Sequence, residues 1–298
     1  MKIFDCFMFY DEKVLLDIRL NILNEFVDYF VIVESRYFHN GLERNLNFNI
    51  NEYPKFKDKI IYIIHENKPK ELKKINPEDG EELKTFKLNF NAHTLENNQR
   101  NDIFKGVKNA DANDMILISD VDEIPNLENI NLKQIKNQII LFEQEIFYYK
   151  LNRYLPNFIW YGTKACKKKN LISPQWLRNI KNNRYSLFRL DTFFSKKKYI
   201  NKLYVNKGGW HFSNLKNASD IELKLKSYLH YTDYQFEELG KNKIENLINS
   251  NKTIYDMFAD KKSNKFGDDK RKDLLKYEVS KLPSYIKNNL NKYKDWID

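Results

Sequence analysis

Residues 115–125 read Met-Ile-Leu-Ile-Ser-Asp-Val-Asp-Glu-Ile-Pro. Four successive large apolar residues, Met115 to Ile118, have the pattern of a central strand covered on both faces, because a half-exposed strand alternates polar and apolar positions. Asp120, Asp122 and Glu123 then fall at the rim of the core, where like charges raise one another's cost unless a cation or hydrogen-bond donors compensate them. Pro125 pushes Ile124 out of helical geometry, so the acids belong to a short loop leaving the sheet. That loop is either a solvated turn or a site.

The segments before it set the fold class. Residues 3–9 (IFDCFMF) suggest a first strand, and Asp11 offers an N-cap ahead of a helix whose Val14, Ile18 and Ile22 share one stripe. Apolar runs at Tyr29–Val33 and Ile60–Ile64 suggest two more strands; a charged stretch follows, and residues 93–109 read as a helix leading into Met115. Strand, helix, strand, strand, helix, strand is the order of an α/β domain with a mostly parallel central sheet, in which ligands bind beyond the carboxyl ends of the strands. Further strands are expected at 139–149 and 185–190, a helical section at 218–249, and an amphipathic helix in the tail after Lys281. This organisation is one domain over residues 1–240 with a helical C-terminal extension over 241–298 packed on it.

Charge is divided unevenly. Residues 1–150 carry 20 Lys+Arg against 26 Asp+Glu, whereas residues 151–298 carry 31 against 15. A basic half attracts anions: nucleic acid, acidic lipid headgroups or a nucleotide diphosphate. Its aromatics fall inside strand-like segments and are not interleaved with Arg as in a single-strand groove, so nucleic acid is not expected. Asp5 and Asp11 interrupt the first apolar stretch, against a signal peptide, no run reaches membrane-spanning length, and Cys6 and Cys166 are too few for a disulfide framework. The expected location is cytoplasmic, with peripheral contact to an anionic membrane surface as a further option.

Two carboxylates one residue apart can hold a hard divalent cation, Mn²⁺ or Mg²⁺, and leave positions for phosphate oxygens and water. Asp120-Val-Asp122 at a strand end therefore points to transfer of a group from an activated nucleotide. A nucleotidyltransferase shares that feature, but no Gly-Ser pair precedes the acids. A non-enzymatic nucleic-acid or membrane-surface binding protein is the rival from another class.

Taken in order, the blocks DCFMFYDEKVLLDIRLNIL, VDYFVIVES, NNQRNDIFKG, ILISDVDEIP, GGWHFSNL and SYLH resemble glycosyltransferase family 17, the group of the bisecting β-1,4-mannosyl-glycoprotein N-acetylglucosaminyltransferase. The resemblance spans residues 3–232 and is poorest at 66–90 and in the tail. It implies a GT-A, Rossmann-type nucleotide-binding fold and an inverting transfer of a sugar, N-acetylglucosamine from its UDP donor, to a hydroxyl of a glycan acceptor. It further implies Asp122 as a metal ligand, Asp120 on the ribose or in the metal's water shell, and Glu123 orienting the loop. His211, after Gly208-Gly209-Trp210, is a metal or diphosphate ligand or a satisfied core histidine. Arg100 is a diphosphate ligand or a helix-surface cation, and Glu34 meets the nucleobase or ribose or caps the next turn. His230 is a weaker site candidate. An inverting transfer needs a general base; between Glu123 and His211 the acids are Glu128, Glu143, Glu145 and Asp191, of which Asp191 and Glu145 are the candidates. Trp160 and Trp176 either stack on acceptor sugars or belong to the core.

Overall fold

The computed structural model describes residues 1–298 except Leu187, Phe193, His230, Glu237, 256–265 and 267–270, together with the side chain of Phe236. The expectation for His230 lies outside the described residues.

The first half is the expected alternation: β1 (Ile3–Phe9), α1 (Lys13–Leu23), β2 (Tyr29–Ser35), β3 (Ile60–His65), α2 (Glu81–Asn101), α3 (Ile103–Gly106) and β4 (Met115–Asp120). Its four strands are parallel in the order β3-β2-β1-β4. The chain thus steps outward from β1 through β2 to β3 and returns to β1's other side as β4, which puts the reversal of strand order between β1 and β4. Met8 and Asp120 are register partners there, so the Asp-x-Asp turn begins at that switch point.

The continuous apolar run of β4 has a direct cause. Met115 and Leu117 enter a core cluster with Leu16, Leu20 and Phe30, while Ile116 and Ile118 enter a second cluster, on the other face, with Val31, Ile103 and Trp176. Successive side chains point to opposite faces, and both faces are covered.

The second half adds β5 (Glu123–Pro125), β6 (Ile139–Tyr148), β7 (Arg153–Trp160), β8 (Lys164–Lys167), α4 (Pro174–Arg178) and β9 (Lys202–Ser213). It continues with α5 (Ala218–Ser227), α6 (Tyr231–Phe236), α7 (Gly240–Asn249), β10 (Leu275–Lys276) and α8 (Ser284–Lys287). The expectation of a mostly parallel sheet holds only for the first half. β8 runs antiparallel to β4 and β6, β7 antiparallel to β6, and β5 antiparallel to β9, giving a mixed ten-stranded sheet. The reason is connection length: a short link, 149–152, reverses the chain from β6 into β7, and β8 continues in the direction of β7 along β6, whereas a parallel pair needs a long crossover. β6 and β9 are parallel, joined by the long path through α4.

Three local expectations need correction. The helix before β4 begins at Glu81, not 93. The described residues of 185–190 form no strand; they are loop and turn, and a 3₁₀ turn spans Leu190–Thr192. The tail after Lys281 is a one-turn helix followed by a 3₁₀ segment, Leu290–Trp296, and residues 241–298 also supply β10 to the sheet edge beside β7. Among the described residues no helix is long and apolar enough to cross a membrane.

Candidate active site

The acid-bearing turn is held from below by a residue of α1. Arg19, fully buried, donates through Nη1 to the carbonyls of Asp120 (3.0 Å), Val121 (3.2 Å) and Glu123 (3.0 Å). Its Nε and Nη2 donate to both oxygens of buried Asp5, at 2.8 and 2.6 Å, and Nη2 also reaches Ser119 Oγ at 2.6 Å. A buried guanidinium with its charge and N–H groups engaged in this way fixes the backbone of the turn without using its side chains.

From above, the turn runs into β5, whose antiparallel pairing with β9 sets Glu123 opposite His211 and Pro125 opposite Gly209. The Phe212 N–H adds a 2.8 Å bond to the carbonyl of Asp122. Gly209 makes the close approach possible: its φ is +137°, and a Cβ there would lie 2.1 Å from the carbonyl oxygen of Ile124. The glycines ahead of His211 thus bring β9 against the turn.

Two groupings of side chains result. In the first, Asp120 accepts from Arg100 Nη2 through Oδ1 (3.1 Å) and from Arg178 Nη2 through Oδ2 (2.7 Å). Arg178 also donates to both oxygens of Glu123, at 2.8 and 2.7 Å, and Trp160 Nε1 donates to Glu123 Oε1 at 2.5 Å. Burial opposes ionisation of Asp120, yet Arg178 and Arg100 outweigh it and hold its carboxyl well below the usual carboxylate range. In the second grouping, Asp122 Oδ2 faces His211 Nε2 at 3.5 Å, both side chains being largely buried. Burial alone would raise the Asp122 pKa and lower that of His211; their mutual attraction reverses both, so the imidazole is held above its ordinary value and the carboxyl below. The His211 ring lies against Trp160, with centroids 5.4 Å apart, and its buried Nδ1 has no hydrogen-bond partner among the described residues.

A cleft of about 490 Å³ opens beside the first grouping, lined among others by Glu96, Arg100, Trp160, Lys164 and Arg178. Both guanidiniums that hold Asp120 face it.

The residues singled out from sequence therefore separate. Asp120, Asp122, Glu123, His211 and Arg100 converge at the carboxyl end of β4. Glu34 does not present a free carboxylate: it accepts from the N–H groups of Asn47 (2.7 Å) and Phe48 (3.0 Å), from Tyr62 Oη (2.8 Å) and from Arg44. These contacts tie Glu34 to the loop after β2. Glu145 accepts from Tyr277 Oη at 2.8 Å, and Asp191, on an exposed turn, is paired with Arg189 and Lys198. Among the described residues the acid that lines the cleft is Glu96, itself paired with Arg100 at 2.8 Å. Trp176 belongs to the core, whereas Trp160 borders the cleft. Sequence reasoning missed Arg19, Arg178 and Glu96; each sits on a helix where its residue type is commonplace on a solvated face, and only the tertiary fold turns it inward.

Whether these residues suit a divalent cation is testable on their chemistry. Asp122 and His211 oppose a carboxylate oxygen and an imidazole nitrogen at a separation longer than a hydrogen bond, a fitting two-donor set for a metal such as Mn²⁺. Among the described residues no cluster of three or more His, Cys, Asp or Glu forms a metal-ligand set, so other positions would fall to the bound substrate and water.

The acid turn sits at the switch point of the sheet, flanked by arginines and a cleft, and the chain is a glycosyltransferase. It belongs to glycosyltransferase family 17, whose model matches residues 1–297. A search of curated proteins gives no match. Among solved structures, HddC from Yersinia pseudotuberculosis is similar at 11% identity and a TM-score of 0.33, over 70% of this chain and 92% of that one, a likeness too slight to carry an argument. Membership of the family displaces the nucleotidyltransferase and the non-enzymatic binding protein as readings of the whole chain.

Proposed function

We propose that the chain binds a UDP-sugar, with N-acetylglucosamine as the sugar, on a GT-A type fold and transfers the sugar with inversion to a hydroxyl of a glycan acceptor. The observation that carries this reading is the facing pair Asp122 and His211 beside the switch point, next to a cleft into which Arg100 and Arg178 project. Asp122 and His211 would hold Mn²⁺ or Mg²⁺, which when bound neutralises the charge of a departing diphosphate.

The chain's own residues account for the rest. Arg100 and Arg178 present planar forks suited to phosphate oxygens, and they keep Asp120 ionised until an anion competes for them. Asp120, once shared less tightly, is available to the ribose or to the cation's water shell. In the transfer the acceptor oxygen forms a bond to the anomeric carbon, the bond from that carbon to the diphosphate breaks with its electron pair leaving on oxygen, and the acceptor's proton passes to a base. Glu96 takes that role in this reading, because it borders the cleft, whereas Asp191 and Glu145 are committed to contacts elsewhere. Its carboxyl is held ionised: burial opposes this, but Arg100 prevails.

The test is calorimetry and thermal unfolding with UDP-N-acetylglucosamine, with and without Mn²⁺. Mutual dependence of the two ligands is expected. If UDP-sugars neither bind nor shift Tm with metal present, the donor assignment fails. Glu96→Gln should keep donor binding and lose transfer; retained transfer in that variant removes Glu96 as the base.

A further inference from the structure

The loop between α4 and β9 combines a fixed stem with an apolar tip. Its stem is tied to the domain by Trp176 Nε1, which donates to the Lys196 carbonyl at 2.5 Å, and by the Lys181 N–H on the Lys197 carbonyl at 2.9 Å. Lys202 Nζ donates to the carbonyls of Lys181 (2.7 Å) and Asn183 (2.6 Å), and Tyr204 Oη to that of Asn182 (2.7 Å). Beyond this stem stand Phe188, Leu190 and Phe194, at 93%, 73% and 89% exposure the three most exposed large apolar side chains among the described residues. Isolated exposed apolar residues are ordinary, but three on one short loop mark a surface meant to be covered.

Charge identifies what covers them. Residues 181–202 contain seven Lys or Arg and one acid, Asp191. That acid is already neutralised within the loop by Arg189 (2.7 Å) and Lys198 (2.5 Å). The exposed apolar residues therefore lie in a stretch of net positive charge, with Arg184, Arg189 and Lys196 to Lys198 on either side of them in the chain. A second copy docking through the same loop would bring the same positive charge to the contact. An anionic bilayer complements both parts at once: apolar tips enter the acyl boundary while Lys and Arg heads meet headgroup phosphates.

We infer that Phe188, Leu190 and Phe194, with the basic residues Lys196 to Lys198 that follow them, dock the enzyme on an anionic lipid bilayer. Ile180, Lys181 and Asn182, at the loop's stem, also line the 490 Å³ cleft, so docking sets the cleft's rim close to the headgroup layer. An acceptor anchored in lipid would then be presented to the cleft, a consequence that rests on the transferase reading.

Cosedimentation of the full chain with phosphatidylcholine vesicles and with vesicles doped with phosphatidylserine tests the docking. Binding should require the anionic lipid and weaken with salt. Phe188→Asp with Phe194→Asp should lower the partition coefficient roughly tenfold or more, at unchanged Tm. Lys196→Ala, Lys197→Ala and Lys198→Ala together should lower it on the order of a hundredfold on anionic vesicles. Asp122→Asn should bind vesicles like the wild type, so loss of the donor reading and loss of docking remain separate results. Equal binding to neutral and anionic vesicles, or full binding by the double Phe variant, overturns the proposal. So does self-association, or salt-sensitive retention on RNA or DNA, that depends on the same residues in the absence of vesicle binding.

Discussion

Arg178 donates through one nitrogen, Nη2, to Asp120 Oδ2 and to Glu123 Oε1, each at 2.7 Å, so a single guanidinium joins the first and last acids of the turn. Asp120 is about a third exposed and Glu123 is 1% exposed, which gives the two bonds different weights. The bond to Asp120 is open to competition from a ligand in the cleft. The bond to Glu123 is structural, because that carboxylate is shut off from solvent.

Removing that guanidinium should therefore cost stability as well as binding. Arg178→Met leaves Glu123 buried without its ion-pair partner, and a loss of about 3–5 kcal/mol is expected in urea unfolding. Adding Glu123→Gln should recover part of it, since the pair is coupled. A loss under about 1 kcal/mol would mean that Glu123 is not held by this contact.

At Gly209 the effect is steric. Gly209→Ala requires a positive φ that alanine resists and puts a Cβ 2.1 Å from the Ile124 carbonyl, so β5 must separate from β9. Destabilisation of about 2–4 kcal/mol is expected, with weakened donor binding. Gly80→Ala, where nothing lies within 4 Å of the added carbon, is the control and should cost under about 1 kcal/mol, from the poorer N-cap it gives α2. Equal melting temperatures for the two variants would contradict the close approach.

Lys164 gives a pH dependence. Its Nζ donates to the carbonyls of Arg178 (2.5 Å) and Ile180 (2.7 Å), and burial, reinforced by Arg178, pushes its pKa down to about 7. The unfolded chain, with a lysine pKa near 10.4, binds more protons than the folded one between those values, so stability rises with pH across that window. The contribution is fully present above about 10.4 and is lost as pH falls through about 7. Measured against Lys164→Met, the wild type should gain a few kcal/mol, roughly, from pH 7 to pH 10. A flat difference would show that the ammonium keeps its charge in place.

The metal prediction separates Asp122 from Asp120. Asp122→Asn and His211→Asn should each abolish the Mn²⁺-dependent part of the Tm increase produced by UDP, which for the wild type corresponds to about 2.7 kcal/mol at a ligand concentration one hundredfold above Kd. Asp120→Asn, whose oxygens are taken up by Arg100 and Arg178, should retain a measurable Mn²⁺ response. An undiminished response in both Asp122→Asn and His211→Asn would remove this pair from the metal site.

Much of the parallel half was legible in the chain because its signals are local. The unbroken apolar run of Met115 to Ile118 reflects two covered faces, and the Val14, Ile18, Ile22 stripe reflects one helix face. Arg19 sits one position after Ile18 and reads as a solvated helix cation; only Asp5 and the carbonyls of Asp120 to Glu123, brought in by β1 and β4, make it internal. The start of α2 was missed because its first turns bury little, Ala92, Leu95, Gln99 and Arg100 being its buried residues. Residues 185–190 looked like a strand because aromatic and aliphatic residues favour sheets, but Phe188 and Leu190 are turned to solvent. The site's acids, with Arg100 and His211, were visible from sequence, and Arg19 and Arg178 were not, since a long-range ion pair leaves no periodic trace.

The pairing of Gly209, Trp210 and His211 with the strand at Glu123 to Pro125 also has a kinetic side. It closes a long loop containing β6, β7, β8 and α4, and loop-closure entropy places such non-local pairings among the slower steps of folding. A chain that has assembled its parallel half already carries the Asp122 carboxylate, but gains the imidazole of His211 only when that last ladder forms. Mn²⁺-dependent ligand binding would then appear later in refolding than helical structure, making the arrival of His211 a clock for completion of the sheet.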